Sequence, residues 1–219
     1  MKRQNIKDGS LYLVISQECC KGRGALDVAR RAIAGGIDII QMREKGKPRE
    51  ELVGLGKQLS ELCLKNQVIF IVNDDPTLAV DVGADGVHMG QEDLKACPIE
   101  KARSIVGPDG TVGVSTHSLE QFEKANSVDV DYIAYGPVFE TKTKDYFLGA
   151  SEVNDILHLA RKPVFFIGGI NLSNAGTLLY RGAKNIAMIR AITESSDVTE
   201  SAKKFKELLK NGNKNKRQN

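Results

Sequence analysis

The chain contains no tryptophan, and aromatic residues make up only 5% of it. Its core must therefore be assembled from isoleucine, valine, leucine and alanine. No apolar run approaches the ~20 residues that cross a bilayer, which excludes a helical membrane protein. The start Met1-Lys2-Arg3-Gln4-Asn5 is basic but leads into no apolar stretch or cleavage pattern, so no secretory leader is read there. Cysteine is scarce as well. Cys19, Cys20, Cys63 and Cys97 form no CxxC pair, and the adjacent Cys19-Cys20 is poor spacing for zinc. Free thiols in a reducing cytoplasm are the expectation.

A strong charge of either sign is also missing. The net charge is +3, and much of the excess sits near the end in Lys203, Lys204, Lys206, Lys210, Lys214, Lys216 and Arg217. Nucleic-acid binding calls for a basic face with interleaved aromatics. This stretch offers only Phe205 and reads instead as a solvated helix with a polar basic tail. Hydrophobic residues at 41% and charged residues at 27% exclude wholesale disorder. No Pro/Gly/Ser-rich linker divides the chain, so a single domain is expected.

What is present is a regular alternation. Eight short apolar runs, at 11–16, 37–43, 68–73, 86–89, 111–116, 132–138, 163–169 and 185–191, read as strands buried on both faces. Between and after them, residues 24–34, 49–65, 77–82, 99–106, 119–126, 152–160, 172–180 and 198–210 read as helices. Ser118 and Asn171 are candidate N-caps, and Gln121 completes a capping-box spacing with Ser118. Asp38, Asp85, Asp131 and Lys184 occupy like positions, each preceding a strand, at intervals of roughly 50 residues. That interval holds two βα pairs. Eight such pairs in a chain of this length predict a single (β/α)8 TIM barrel over about residues 11–210.

In such a barrel the chemistry belongs at the C-terminal strand ends. Polar residues gather there: Gln41-Met42-Arg43-Glu44-Lys45, Asn73-Asp74-Asp75, His88 to Asp93, Ser115-Thr116-His117, Thr141-Lys142-Thr143-Lys144, Gly168-Gly169 and Ile189-Arg190. Arg43, Lys45 and Lys144 are suited to converge on an anion. Asp74 and Asp93, from neighbouring strands, would repel unless a cation sat between them, and their hard oxygens suit Mg2+. Gln41 and Asn73 can orient a neutral heteroaromatic ring. Gly168-Gly169 and the backbone at Ile189-Arg190 allow close approach of a phosphate. Two phosphorylated substrates are implied. Each motif also has a plainer reading: Arg43-Glu44-Lys45 as a solvated loop, Asp74-Asp75-Pro76 as a helix start, Gly168-Gly169 as a turn, and His88 as a hydrogen-bonded barrel histidine. His117 reads equally as a loop residue or an acid/base group.

In this order, with Tyr135-Gly136-Pro137-Val138-Phe139 and Ile167-Gly168-Gly169-Ile170 added, the motifs resemble thiamine phosphate synthase over residues 11–192. The neighbouring thiazole tautomerase (TenI) branch shares the barrel. The resemblance implies condensation of an aminopyrimidine diphosphate with a thiazole phosphate. Arg43, Lys45, Ser115 and Lys144 would be catalytic. Gln41, Met42, Glu44 and Asn73 would join them around the pyrimidine diphosphate. Thr141, Lys142, Thr143, Gly168, Gly169, Ile189 and Arg190 would border the thiazole phosphate. Asp74 and Asp93 would hold Mg2+.

Three positions depart from the family pattern. Lys144 is followed at once by Asp145-Tyr146, the stretch 145–150 is short, and Arg190 stands where the family has serine. A tautomerase using His117, or a non-catalytic phosphate-binding barrel, are the alternatives. Retention of Asp74, Asp93 and Lys144 argues against the tautomerase, because moving a proton needs no diphosphate-metal site. The expected partners are small molecules, with no nucleic acid and no membrane. A homo-oligomer remains compatible with the sequence.

Overall fold

The computed structural model describes residues 5–215; the start 1–4 and the last tail residues, among them Lys216 and Arg217, lie outside them. Eight strands form a closed, wholly parallel barrel in chain order: β1 Leu11–Ile15, β2 Ile39–Met42, β3 Ile69–Asn73, β4 Gly86–Met89, β5 Thr111–Thr116, β6 Tyr132–Tyr135, β7 Val164–Ile167 and β8 Asn185–Met188. The helices around it are α1 Ala25–Ala34, α2 Arg49–Lys65, α3 Pro76–Asp81, α4 Ile99–Val106, α5 Leu119–Ser127, α6 Val153–Leu159, α7 Ala175–Tyr180, α8 Arg190–Thr193 and α9 Val198–Asn215. No helix among the described residues is long and apolar enough to cross a membrane.

Strand alternation sorts the side chains into two cores. Outward residues such as Leu13, Ile40, Phe70, Val87, Val114, Ile133 and Phe166 pack under the helices. Inward residues Tyr12, Val14, Ile39, Ile71, Tyr132, Phe165 and Ala187 fill the cylinder. Few aromatics are available, and three of them meet at its centre. Tyr12 and Tyr132 each set an edge against Phe165, with ring centroids 5.2 and 5.5 Å apart. The Tyr132 ring fits because residue 113 has no side chain: a Cβ there would lie 2.0 Å from Tyr132 Cζ.

The sequence repeat has a structural cause. Asp38, Asp85 and Asp131 precede β2, β4 and β6. Their carboxylates accept the backbone N–H of Leu11, Phe70 and Val112 at 2.7, 2.8 and 2.7 Å. Each ties the base of an odd-numbered strand to the next strand. In the fourth unit the role moves by one residue. Lys184 pairs with Asp8, and Asn185 accepts from Ser10 N–H at 3.0 Å.

The interior also holds a polar chain. Gln41 Nε2 lies 2.7 Å from Tyr12 OH, which lies 2.8 Å from Tyr132 OH. His88 Nδ1 is 3.0 Å from Tyr132 OH, and its Nε2 is 2.8 Å from Ser115 Oγ. Burial, and then the charge of His117, push the His88 imidazole down to about 3, so the ring is neutral.

Expected boundaries differ mostly at the barrel mouth. Arg43, residues 136–138, residues 168–169 and residues 189–191 leave their strands because the chain turns there to build the mouth, and Arg190–Thr193 coils into α8. Helix α7 begins at Ala175 with Asn174 as its N-cap residue. Asn171 instead closes the preceding turn, accepting from Ser173 and Asn174 N–H. Ser118 does cap α5, accepting from Gln121 N–H at 3.2 Å, while Gln121 Oε1 reaches back to His117 N–H.

Removing the Asp131 carboxylate leaves the Val112 N–H without its acceptor and takes from Arg103 one of its two carboxylate partners, at 2.7 Å from Nη2, while Asp129 remains 3.0 Å from Nε. Asp131→Ala is expected to lower the urea-unfolding free energy by about 2 kcal/mol, and Asp131→Asn by less, since it keeps an acceptor for Val112. His88 makes stability pH-dependent. Its folded pKa lies near 3, below the usual 6.5, so the unfolded chain takes up a proton that the folded one refuses. Stability therefore falls as pH drops below 6.5, by at most ~1.4 kcal/mol per pH unit from this group. Unfolding curves at pH 7 and pH 5 should show a larger loss for the native chain than for His88→Gln.

Candidate active site

The C-terminal strand ends open into a cavity of about 480 Å³. Its floor is the top of the barrel interior, with Tyr12, Gln41, Asn73, His88, Ser115, Ala134, Ile167 and Ala187. Its rim carries Arg43, Lys45, Lys144 and Arg190 on one set of loops and Asp74, Glu92 and Asp93 on another. Neutral groups thus lie deep and charged groups lie at the opening.

Asp74 follows β3 in a left-handed conformation, φ +61°, one that Asp and Asn adopt more readily than most residues. Its N–H donates to His88 O at 2.8 Å, and its Oδ1 accepts from Gly90 N–H at 2.7 Å. Asn73 Nδ2 donates to Oδ2. The Asp93 carboxyl lies within hydrogen-bonding reach of Asp74. A Cβ on Gly90 would meet both carboxylates, 3.1 Å from Asp93 Oδ2 and 3.2 Å from Asp74 Oδ1. Burial pushes the Asp74 carboxyl above the usual range. The Gly90 N–H pulls it back, and the Asp93 charge pushes it up again. Two convergent, half-buried carboxylates suit a hard divalent cation such as Mg2+, with substrate and water oxygens completing its shell. Asp75 divides from this pair: its carboxylate caps α3, accepting from Leu78 N–H at 2.8 Å, with Pro76 in the first turn.

Opposite the carboxylates, Gly168 and Gly169 follow β7 with φ of +101° and +64°. Side chains there would strike the Pro137–Glu140 segment, with Cβ atoms 2.4 Å from Pro137 Cα and 2.2 Å from Glu140 O. The pair is therefore more than a flexible turn, because the β6–α6 loop packs directly onto it. Arg190 opens α8, held by Glu194 at 3.0 Å and donating to Thr143 Oγ1 at 3.1 Å. That bond links α8 to the loop that carries Thr141, Thr143 and Lys144. Tyr146 sets its ring edge toward His117, centroids 6.4 Å apart. His117 Nδ1 lies 2.5 Å from Gly136 O and donates its hydrogen to that carbonyl.

The fold brings Gln41, Arg43, Lys45, Asn73, Asp74, Asp93, Ser115, Thr141, Thr143, Lys144, Gly168, Gly169, Ile189 and Arg190 to one cavity. Met42, Glu44 and Lys142 do not line it. Met42 is buried in the outer core, since alternation turns it away from Gln41. Glu44 faces β1's loop and accepts from Gln17 N–H at 2.6 Å. Lys142 sits at the tip of the turn closed by the Thr141–Lys144 bridge. Tyr12 lines the cavity without having been singled out from the sequence, and Gln91 and Tyr146, read there only as part of a motif and as a departure from the family pattern, line it too. Gln91 Nε2 donates to Ser115 O at 2.6 Å, fixing that strand end. Only the inward register of β1 distinguishes Tyr12 from a core tyrosine.

The family model described as thiamine monophosphate synthase matches residues 11–192. The thiamine-phosphate synthase of Persephonella marina is 35% identical over 206 residues, covering 93% of this chain and 97% of that protein. That of Halalkalibacterium halodurans is 36% identical over 207 residues, covering 93% and 97%. The solved thiamine phosphate pyrophosphorylase from Pyrococcus furiosus superposes with a TM-score of 0.85 at 32% identity, covering 93% of this chain and 96% of that one. An orotidine 5'-phosphate decarboxylase from Pyrococcus horikoshii, 15% identical with a TM-score of 0.63, shares the fold alone. With its barrel, its mouth and its motifs in this order, the chain belongs to the thiamine phosphate synthase family of transferases.

Proposed function

We propose that the chain joins 4-amino-2-methyl-5-hydroxymethylpyrimidine diphosphate to 4-methyl-5-(2-phosphooxyethyl)thiazole, releasing pyrophosphate and forming thiamine phosphate. The observation that carries this reading is the meeting, in one cavity, of the Asp74–Asp93 pair, the cations Arg43, Lys45 and Lys144, and a separate edge at Gly168, Gly169, Ile189 and Arg190. That division matches a diphosphate with its metal on one side and a monoester phosphate on the other.

Gln41, Asn73 and Ser115 orient the pyrimidine ring over the neutral floor. Arg43, Lys45 and Lys144 donate to the diphosphate oxygens, more strongly as charge develops on departure. Asp74 and Asp93 would hold Mg2+, which when bound supplies further neutralisation of the leaving group. The bond from the methylene carbon to the diphosphate oxygen breaks, and its electron pair leaves with the oxygen. The aminopyrimidine ring shares the positive charge left on the carbon, and the thiazole nitrogen lone pair forms the new bond. Thr141, Thr143, Gly168, Gly169, Ile189 and Arg190 hold the thiazole phosphate so that this nitrogen faces the carbon, which removes much of the entropic barrier. The place of His117 on the cavity wall, with its Nδ1 held by Gly136 O, favours the tautomerase as a second reading. That reaction leaves the paired carboxylates without work. All four cysteines are free thiols, which supports a cytoplasmic setting.

Incubation with both substrates and Mg2+ should give equal amounts of pyrophosphate and thiamine phosphate, and omission of either substrate should abolish both products. Product formation from the thiazole phosphate alone would replace this reading with the tautomerase. Asp93→Ala is expected to lose about 100-fold or more in metal-dependent turnover with an unchanged far-UV spectrum. Lys144→Ala should raise the KM for the pyrimidine diphosphate by about tenfold and that for the thiazole phosphate much less. Equal losses would contradict the assignment of Lys144.

A further inference from the structure

The buried polar chain runs from Gln41 through Tyr12, Tyr132 and His88 to Ser115, drawing one residue from each of β2, β1, β6, β4 and β5. Tyr12, Gln41, Tyr132 and His88 are all buried; Tyr132 lies below the cavity, and the other three share its floor with the less buried Ser115. A count of hydrogens gives the chain a direction. The Gln41 amide nitrogen only donates, so Tyr12 OH accepts from it. Tyr12 has one hydrogen left to give, and Tyr132 OH is its other partner. Tyr132 then accepts from Tyr12 and gives its own hydrogen to His88 Nδ1. A neutral imidazole carries a single N–H, which must therefore sit on Nε2 and point at Ser115 Oγ. Ser115, already accepting from His88, sends its hydroxyl hydrogen into the cavity.

We propose that this chain is a one-way positioning relay that fixes Ser115 as a hydrogen-bond donor to a ring nitrogen of the pyrimidine substrate, with Tyr12, Tyr132 and His88 as positioning residues. The inference rests on the synthase reading for the identity of that ring. The polarity of the relay is a property of the free protein. A ring nitrogen fits better than a phosphate oxygen because Ser115 belongs to the neutral floor, with Gln41, Asn73 and His88, while the cations stand at the rim. Neighbouring bonds in such a chain polarise one another, so Ser115 becomes a better donor than an isolated hydroxyl. A serine of the opposite polarity would select a substrate N–H instead, and it would reject a bare ring nitrogen because two acceptors would then face each other.

The test has two arms. In the substrate-free full-length protein labelled with 13C,15N-histidine, the His88 nitrogens should report the Nε2–H tautomer at pH 7, with an unprotonated Nδ1. An Nδ1–H tautomer, or a protonated ring, overturns the relay whatever the enzyme proves to catalyse. Tyr132→Phe removes the hydrogen that holds Nδ1 unprotonated. The tautomer signal should become mixed and kcat should fall about tenfold, with a smaller loss for Tyr12→Phe, one link further away. Unchanged kcat in a folded Tyr132→Phe protein overturns the positioning role. If that variant does not fold, the tautomer of the unaltered protein still decides. Ser115→Ala should weaken the pyrimidine diphosphate about tenfold while leaving inhibition by inorganic pyrophosphate unchanged. Equal weakening of both overturns the assignment to the ring. Absence of any synthase turnover in the native chain refutes the proposed function and leaves the tautomer result standing by itself.

Discussion

Closure of eight parallel strands into one cylinder is the constraint on which everything else rests. Once the sheet has no edge, each strand must commit alternate residues to a narrow interior and to the helix layer. A shift of one residue would exchange them. In β2 the commitment puts Gln41 into the cylinder and Met42 under the helices, although both stand in the same motif. The carboxylates of Asp38, Asp85 and Asp131 help hold that register by binding N–H groups near the start of neighbouring strands. Wherever the inward rows reach the C-terminal strand ends, they become the floor of the cavity.

That floor differs from the usual barrel filling of branched aliphatic side chains. Two tyrosines, a histidine and a glutamine occupy the middle, each satisfied by the next. Burial keeps both phenols protonated and the imidazole neutral, so the interior carries hydrogen bonds without net charge. Rings and amides thus lie at the base of the cavity, while the charged groups stand at its opening.

The rim is divided in the same way. The acidic side is held by backbone geometry: the left-handed turn at Asp74 aims its carboxylate at Gly90 N–H and brings it against Asp93. The opposite side combines glycine packing with α8. Arg190 gives this side a cation at the start of α8, and its contact with Thr143 couples the β6–α6 loop to that helix. A guanidinium there adds a fork of donors to the mouth of the barrel. It also ties that loop to the barrel.

The sequence alone determined the eight strands, the eight main helices and their order, because apolar runs and helical spacing are local properties of the chain. It also determined the face on which the polar motifs gather, because every βα loop of a parallel barrel lies at one end. Asp75 as a helix cap and His88 as a bonded interior histidine were equally legible, since an Asp before Pro and a lone His in an apolar strand have strong local meanings. The tertiary structure alone decided which residues within each motif face the cavity. Met42, Glu44 and Lys142 stand beside cavity residues in the chain yet turn away from it, and Tyr12 is hidden in an ordinary apolar strand. Only closure of the barrel fixes which way each alternate side chain points. The linking of Gln41, Tyr12, Tyr132, His88 and Ser115 likewise depends on five strands meeting around one axis, a contact between distant positions that no local pattern encodes.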